Sequence, residues 1–346
     1  MKFGIFSHVP WPEGTDPKQL MDQMIEQAIS GEELGFHCVW LAEHHFSRYG
    51  LSSSPLVLGA SIAARTEKIR IGTAVLVPTL HNPVRLAEDT AMLDTISGGR
   101  LDVGYGRGAA SYEYAAYTVD QGSSQQRFQE AIRMVDGLWT TPEYTHQGQF
   151  YSAHKVNLVP PPLQTPQPPV YIGASRTEET LKFVASTGHS LCVGVVLDIP
   201  DAMALVNRFD AISKASGHDV PMSGIPFHRY FYVAETEEQA RRDTKAALEW
   251  VADVGQWRRA FKEGSEVHGK LADWRMERTE TPPSYDYLYQ NRAIIGSPDQ
   301  CIAKIKGLQE QGIGYFVCNF FFGDLPHEKV IQSMKLFSKE VMPAFG

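Results

Sequence analysis

The sequence is poor in cysteine, and the four it has, Cys38, Cys192, Cys301 and Cys318, form no C-x-x-C pair in 346 residues. That spacing argues against a disulfide framework and leaves buried thiols in a reducing compartment as the expected state. Long hydrophobic runs are missing too. No apolar stretch is long enough to cross a bilayer, and the opening "MKFGIFSHVPWPEG" is interrupted by Pro10 and Pro12. Neither a membrane span nor an export signal is expected, and the chain is placed in the cytoplasm. Positive charge is scarce and scattered, 32 Lys and Arg against 40 Asp and Glu for a net −8, which removes the electrostatic footprint of a nucleic-acid partner. No G-x-G-x-x-G follows the first apolar run, and no H-x-H or H-E-x-x-H occurs. The usual marks of dinucleotide and zinc sites are therefore absent.

What is present is a rhythm. "KFGIFS" is followed by Leu20, Met24, Ala28 and Met21, Ile25, Ile29 at four-residue spacing, a strand and then a helix. The alternation continues through "HCVWLAEHH", "KIRIGTAVLV", "RLDVGYGRG", "PVYIGAS", "SLCVGVV", "HRYFYVAE" and "GYFVCNFFF". These eight strands read as continuous apolar runs, the signature of a parallel sheet buried on both faces. The pattern predicts an α/β fold, a (β/α)8 TIM barrel forming a single domain over 1–346, with an open doubly wound sheet as the alternative. Two long insertions interrupt it, Pro-rich 145–169 and the polar, aromatic 262–292, lengths typical of lids, binding loops or disorder.

The segment "AEHHF" ends the second strand. In a barrel, reactive groups gather at the C-terminal strand ends, and neighbours on an extended chain point to opposite sides. One imidazole of His44 and His45 can then enter the barrel mouth while the other turns outward. The pair could bind a metal, move a proton or pack. Too few further ligands accompany it for zinc, so no metal site is expected.

Taken together, "MKFG", "GFHCVWLAEHHF", "KIRIGTAVLVPTLHNPVRLAEDTAMLDTISGGRLDVGYGRG", "PVYIGAS" and "SMKLFSKEVMP" resemble the bacterial luciferase-like flavin monooxygenases, most of all the luciferase α subunit. The resemblance implies reduced FMN (FMNH2) at the barrel mouth, a C4a-hydroperoxide formed with O2, and transfer of one oxygen to a small organic substrate. It implies a separate NAD(P)H:flavin reductase and a homodimer. It makes His44 the catalytic imidazole, a role suited to a side chain whose unperturbed pKa lies near neutrality. His45 would face outward to a partner, against Glu88 of a second chain. Glu43 would meet the flavin or hold a neighbouring backbone. Arg107 of "GYGRG" and, at a shifted spacing, Arg127 would bind the phosphate. Ser175, Arg176 and Thr177 open a helix whose N–H groups suit the same phosphate, or cap it in the ordinary way. A non-proline cis peptide is implied between Ala74 and Val75. Gly106 stands where luciferase has a reactive cysteine.

Phe6, Phe46, Tyr49, Tyr114, Tyr117 and Trp250 are the candidate pocket aromatics, several of them tyrosines where luciferase has phenylalanine, which makes a more polar pocket. Two further functions compete: a deazaflavin-dependent oxidoreductase on the same barrel, and a flavin-binding subunit without catalysis.

Overall fold

The computed structural model describes residues 1–173 and 177–346. Nine parallel strands form one curled sheet: β1 (Lys2–Ser7), β2 (Cys38–Leu41), β3 (Arg70–Thr73), β4 (Leu101–Tyr105), then β7 (Val170–Gly173), β8 (Ser190–Cys192), β9 (Pro226–Val233), β10 (Ala293–Gly296) and β11 (Tyr315–Asn319). A two-stranded antiparallel hairpin, β5 (Tyr144–Gln147) and β6 (Ser152–Val156), lies apart from it. The sheet order is β10-β9-β11-β1-β2-β3-β4-β7-β8. Just past β8, Val193 forms a parallel bridge with Phe227 of β9, its N–H donating to Pro226 and its carbonyl accepting from His228. Among the described residues no helix is long and apolar enough to cross a membrane.

Strand alternation divides the interior into two layers. Phe3, Ile5, Val39, Leu41 and Phe316 join the large core between sheet and helices, whereas Phe6, Cys38, Trp40, Ala42, Tyr315 and Val317 form a second cluster. Successive residues of a strand face opposite ways, so the second cluster fills the concave side of the sheet. Trp40 is its bulk, fully buried, with its indole N–H donating to the Tyr315 hydroxyl at 2.9 Å. Gly72 on β3 makes this possible, because a Cβ there would meet the Trp40 ring at 2.3 Å.

Helix starts follow their sequence signals. Asp16, Ser54 and Asn82 cap helices Pro17–Glu33, Pro55–Ala63 and Pro83–Ile96, each with proline in the first turn, where a missing N–H costs nothing.

Three expectations need correction. The sheet has nine strands rather than eight, because "AIIG" forms β10 beside β9. The 145–169 insertion is partly regular. Its β5–β6 turn is organised by the Glu130 carboxylate, which accepts from the Gln149, Phe150 and Tyr151 N–H groups. The 262–292 segment carries helices Leu271–Glu277 and Tyr285–Asn291, and much of it is fastened down. Buried Glu266 accepts from Ser47 and the Arg48 N–H, Arg275 and Arg278 pair with Asp253, and Tyr285 and Tyr289 are buried. Residues 262–264, 268–270, 272–273, 275–277, 279–281, 283–284, 286–287 and 290 of the segment are exposed.

Candidate active site

Residues 42–46 leave the end of β2, and the backbone turns sharply on both sides of the histidines. Val9, after β1, and Phe46 both adopt left-handed φ values of 52°, unusual for residues with a Cβ and costly for a β-branched one. These turns seat His8 and His45 in the interior, 1% and 4% exposed.

His45 does not turn outward. Its Nε2 lies 2.8 Å from Glu43 Oε1, its Nδ1 3.2 Å from the Tyr117 hydroxyl, and its N–H donates to Glu113. Within this chain, Glu88 pairs with Arg85 of its own helix. Glu43 also meets His81 Nε2 at 2.8 Å and accepts from the Val77 N–H. Burial would push this carboxyl up, but the hydrogen bonds from His45 and His81 outweigh it and hold the pKa at about 2. Glu43 thus secures the backbone two residues beyond the Ala74–Val75 peptide, which is cis. The glycines of "GYGRG" make room for that turn: a Cβ on Gly106 would lie 2.3 Å from Val75 Cγ2, and one on Gly104 would overlap the Thr73 carbonyl.

His44 sits on the other side of the pair, with its side chain 22% exposed. Its ring packs edge-on against Tyr49, centroids 4.9 Å apart, and its Nδ1 lies 3.5 Å from Arg258 Nη1. Burial, with the Arg258 charge behind it, pushes the imidazole well below its usual pKa. It is neutral at physiological pH, where an unperturbed ring would be only partly so. Glu113, 4.0 Å from the same nitrogen, is shifted the other way by burial.

Tyr49 and Arg258, the two groups against His44, border a cavity of about 850 Å³ that opens at the C-terminal strand ends, while His44 itself lies behind them and is not part of the lining. Phe6, Tyr49, Ala74, Val75, Arg107 and Thr177 line it. Arg107 is exposed, fixed by hydrogen bonds from Thr79 and Tyr114 to its carbonyl and by Nη1 to Ser124. Thr177 is the N-cap of helix Glu178–Thr187. Ser175 and Arg176 lie outside the described residues. A second cavity, about 530 Å³, lies at the opposite end of the strands against Met1, Glu32, His37 and Lys68, away from every strand-end group above.

A family model described as luciferase-like monooxygenase matches residues 1–314. The chain belongs to that family. Among its relatives, the chain is 30% identical to the oxygenase component of a flavin-dependent trigonelline monooxygenase from Acinetobacter baylyi, over 100% of this chain and 96% of that protein. It is 27% identical to an alkanal monooxygenase alpha chain from Photorhabdus laumondii, over 99% and 97%. Among solved structures it resembles monooxygenase RslO1 from Streptomyces bottropensis with a TM-score of 0.86 and 27% identity over the whole of both chains. The oxygenating constituent of 3,6-diketocamphane monooxygenase from Pseudomonas putida, in complex with FMN, shares the fold at TM-score 0.78 and 20% identity, over 99% and 98%. So does a coenzyme F420-dependent tetrahydromethanopterin reductase from Methanopyrus kandleri, at 0.74 and 19%, over 100% and 99%.

Within this luciferase-like frame the remaining candidates separate. Arg127 stands apart from the cavity lining, with Nε on Ser123 and its guanidinium over Phe150. Tyr114 is buried under Arg107, Tyr117 meets His45 edge-on with exposed Phe46 tilted against both, and Trp250 belongs to the large core. None of these four aromatics lines the cavity, and neither does Glu43. Residues the sequence reading passed over do line it or touch His44: His8, His228, Tyr230, Arg258, Arg259 and Arg292. His8 follows β1 as His44 follows β2, so the same strand-end rule could have found it.

Proposed function

We propose that the protein is the oxygenase component of a two-component flavin monooxygenase, taking FMN reduced by a separate NAD(P)H:flavin reductase and using O2 to oxygenate a small organic molecule. The observation that carries this reading is one cavity lined together by the cis Ala74–Val75 backbone, the exposed Arg107 and the helix start at Thr177. Its volume falls within the range of about 300–1,000 Å³ usual for cofactor and ligand pockets. Gly194 also lines it, and a Cβ there would touch nothing within 4 Å, so the space beside it is free for a ligand. Bound there, the reduced flavin would supply the electrons that activate O2.

The chain's own residues do the rest. Arg107 would grip the phosphate in a fork, with the N–H groups at the Thr177 helix start and, from the sequence pattern, Ser175 and Arg176 beside it. Ala74 and Val75 would face the ring system. At His44, the Arg258 donor beside Nδ1 favours the tautomer with its proton on Nε2, the atom from which a proton would move. Tyr49 and Arg258 shield that imidazole from water. The same reading closes the sheet at the Val193–Phe227 bridge into a (β/α)8 barrel with β10 alongside, one domain over 1–346, acting as a cytoplasmic homodimer.

The test supplies chemically reduced FMN anaerobically, then oxygen-18 gas and candidate substrates. Micromolar binding of reduced FMN and label in the product are expected. Preference for a reduced deazaflavin, or product without label, overturns the reading.

A further inference from the structure

The cavity lining has an unusual charge balance. Among the described residues it contains four arginines, Arg107, Arg258, Arg259 and Arg292, and no Asp or Glu. Two are accounted for: Arg107 by the phosphate role above, and Arg292 by Asp198, whose Oδ1 lies 2.6 Å from its Nε. Arg259 is exposed and donates only to the carbonyl of Gly255 one turn earlier. Arg258 differs from all three. Its guanidinium lies 3.9 Å above the Tyr49 ring, its Nη1 faces His44 Nδ1, and its Nε is buried without a hydrogen-bond partner among the described residues. No carboxylate of the described residues comes within ion-pair distance of it. Glu113 feels its charge but is bonded to the His45 N–H.

A half-buried guanidinium with no anion is costly, since buried donors left unmet keep their full desolvation penalty, and a charged group's is the largest. Tyr49 fixes where it points, which leaves the fork preorganised for an anion that the protein does not provide. The neighbouring wall, from Phe6, Tyr230, Val195, Leu197, Val251 and Leu288, is apolar or aromatic. We infer that the oxygenated substrate is an apolar or aromatic molecule bearing a carboxylate, and that Arg258 binds this carboxylate and so seats the molecule beside His44. The inference rests on the proposed function for its meaning, because it names the substrate class of that same site. A carboxylate on Arg258 would gain a bidentate, charge-assisted contact that an isosteric amide cannot match.

The experiment measures binding by calorimetry on the full chain, with and without FMN, using three probe pairs: benzoate and benzamide, nicotinate and nicotinamide, octanoate and octanamide. At least one carboxylate should bind about tenfold tighter than its amide, equivalent to about 1.4 kcal/mol. Arg258→Gln should abolish that preference, whereas Arg107→Ala should keep it while losing FMN. Should Arg258→Gln not fold, Arg258→Lys keeps the charge without the fork and should weaken the carboxylate several-fold with the amide unchanged. Equal binding of acid and amide in all three pairs overturns the inference, as does a preference that survives Arg258→Gln or an Arg258→Lys variant that weakens acid and amide equally. So does an Arg258→Gln variant that weakens reduced FMN instead, which would give the guanidinium to the flavin ring. Wild-type protein that prefers carboxylates yet binds no reduced flavin would overturn the proposed function and leave this inference standing.

Discussion

The two sides of the histidine pair are built on opposite terms. Towards β3 and β4, Glu43, His45, His81, Tyr117 and the Val77 N–H form a closed set in which the carboxylate has three donors and both nitrogens of His45 have partners. Towards β1 and β9 the buried polar atoms are left over. Both ring nitrogens of His8, Nε2 of His228, two guanidinium nitrogens of Arg229 and Nε of Arg258 have no partner among the described residues. Buried polar groups in folded proteins are nearly always satisfied, so an orphaned cluster marks a place completed by water or a ligand. The closed side fixes the shape of the site, and the open side is where something binds. Variants should therefore divide between loss of stability and loss of function according to the side they touch.

The largest effect is expected in acid. Burial holds His8 and His228 at about 3 in the folded protein, against about 6.5 unfolded. Below 6.5 the unfolded chain takes up protons that the folded one refuses, so the open side loses stability as pH falls from 6.5 towards 3. Glu43, depressed to about 2, contributes fully above its unfolded value of 4.5 and loses that contribution only as pH falls from there towards 2. Urea midpoints should drop between pH 6.5 and 4.5, and a His8→Phe/His228→Leu double variant should flatten that limb. A wild-type midpoint constant over this range would break the comparison.

His44→Ala comes next. Turnover should fall by about 10²–10⁴-fold, the usual worth of a positioned acid or base, while flavin binding and the urea midpoint stay near the parent values. Retained turnover would remove His44 from the chemistry, and loss of folding would move it to the closed side. Glu43→Ala should do the reverse, costing about 1–3 kcal/mol of stability because it strands the buried His45 imidazole and leaves the partly exposed His81 without its carboxylate; chemical denaturation measures it, and a loss under about 0.5 kcal/mol would show the closed set to be dispensable. Arg107→Ala should have the smallest effect, at least tenfold in reduced-FMN affinity or about 1.4 kcal/mol, seen by anaerobic fluorescence titration. Unchanged affinity would detach Arg107 from the phosphate.

Much of this architecture was legible before any coordinates, because doubly buried strands write themselves as apolar runs and "AEHHF" and "GYGRG" sit at strand ends. β10 escaped notice since "AIIG" is only four residues long and runs straight into the helix beginning at Pro298. The β5–β6 hairpin has no buried residue on either strand, so no period of two reaches the sequence. The polar contacts on both sides of the histidine pair were hidden for a different reason: His81 is 38 residues from Glu43 on the closed side and Arg258 is 214 from His44 on the open side, and nothing local announces either pairing. The charges of 262–292 suggested a solvated lid, yet Glu266, Arg275 and Arg278 have partners on the body of the protein. Among the exposed residues of this segment, Pro283 borders the cavity.

The contact between Gly106 and Val75 ties two neighbouring chain segments into a single choice. A side chain at 106 would meet Val75 Cγ2 at 2.3 Å, so a cysteine there would require the Val75 side chain to shift, while shortening Val75 to alanine removes the obstructing methyl. Position 106 can therefore carry a side chain only where Val75 moves or is shortened, so the two positions are expected to change together.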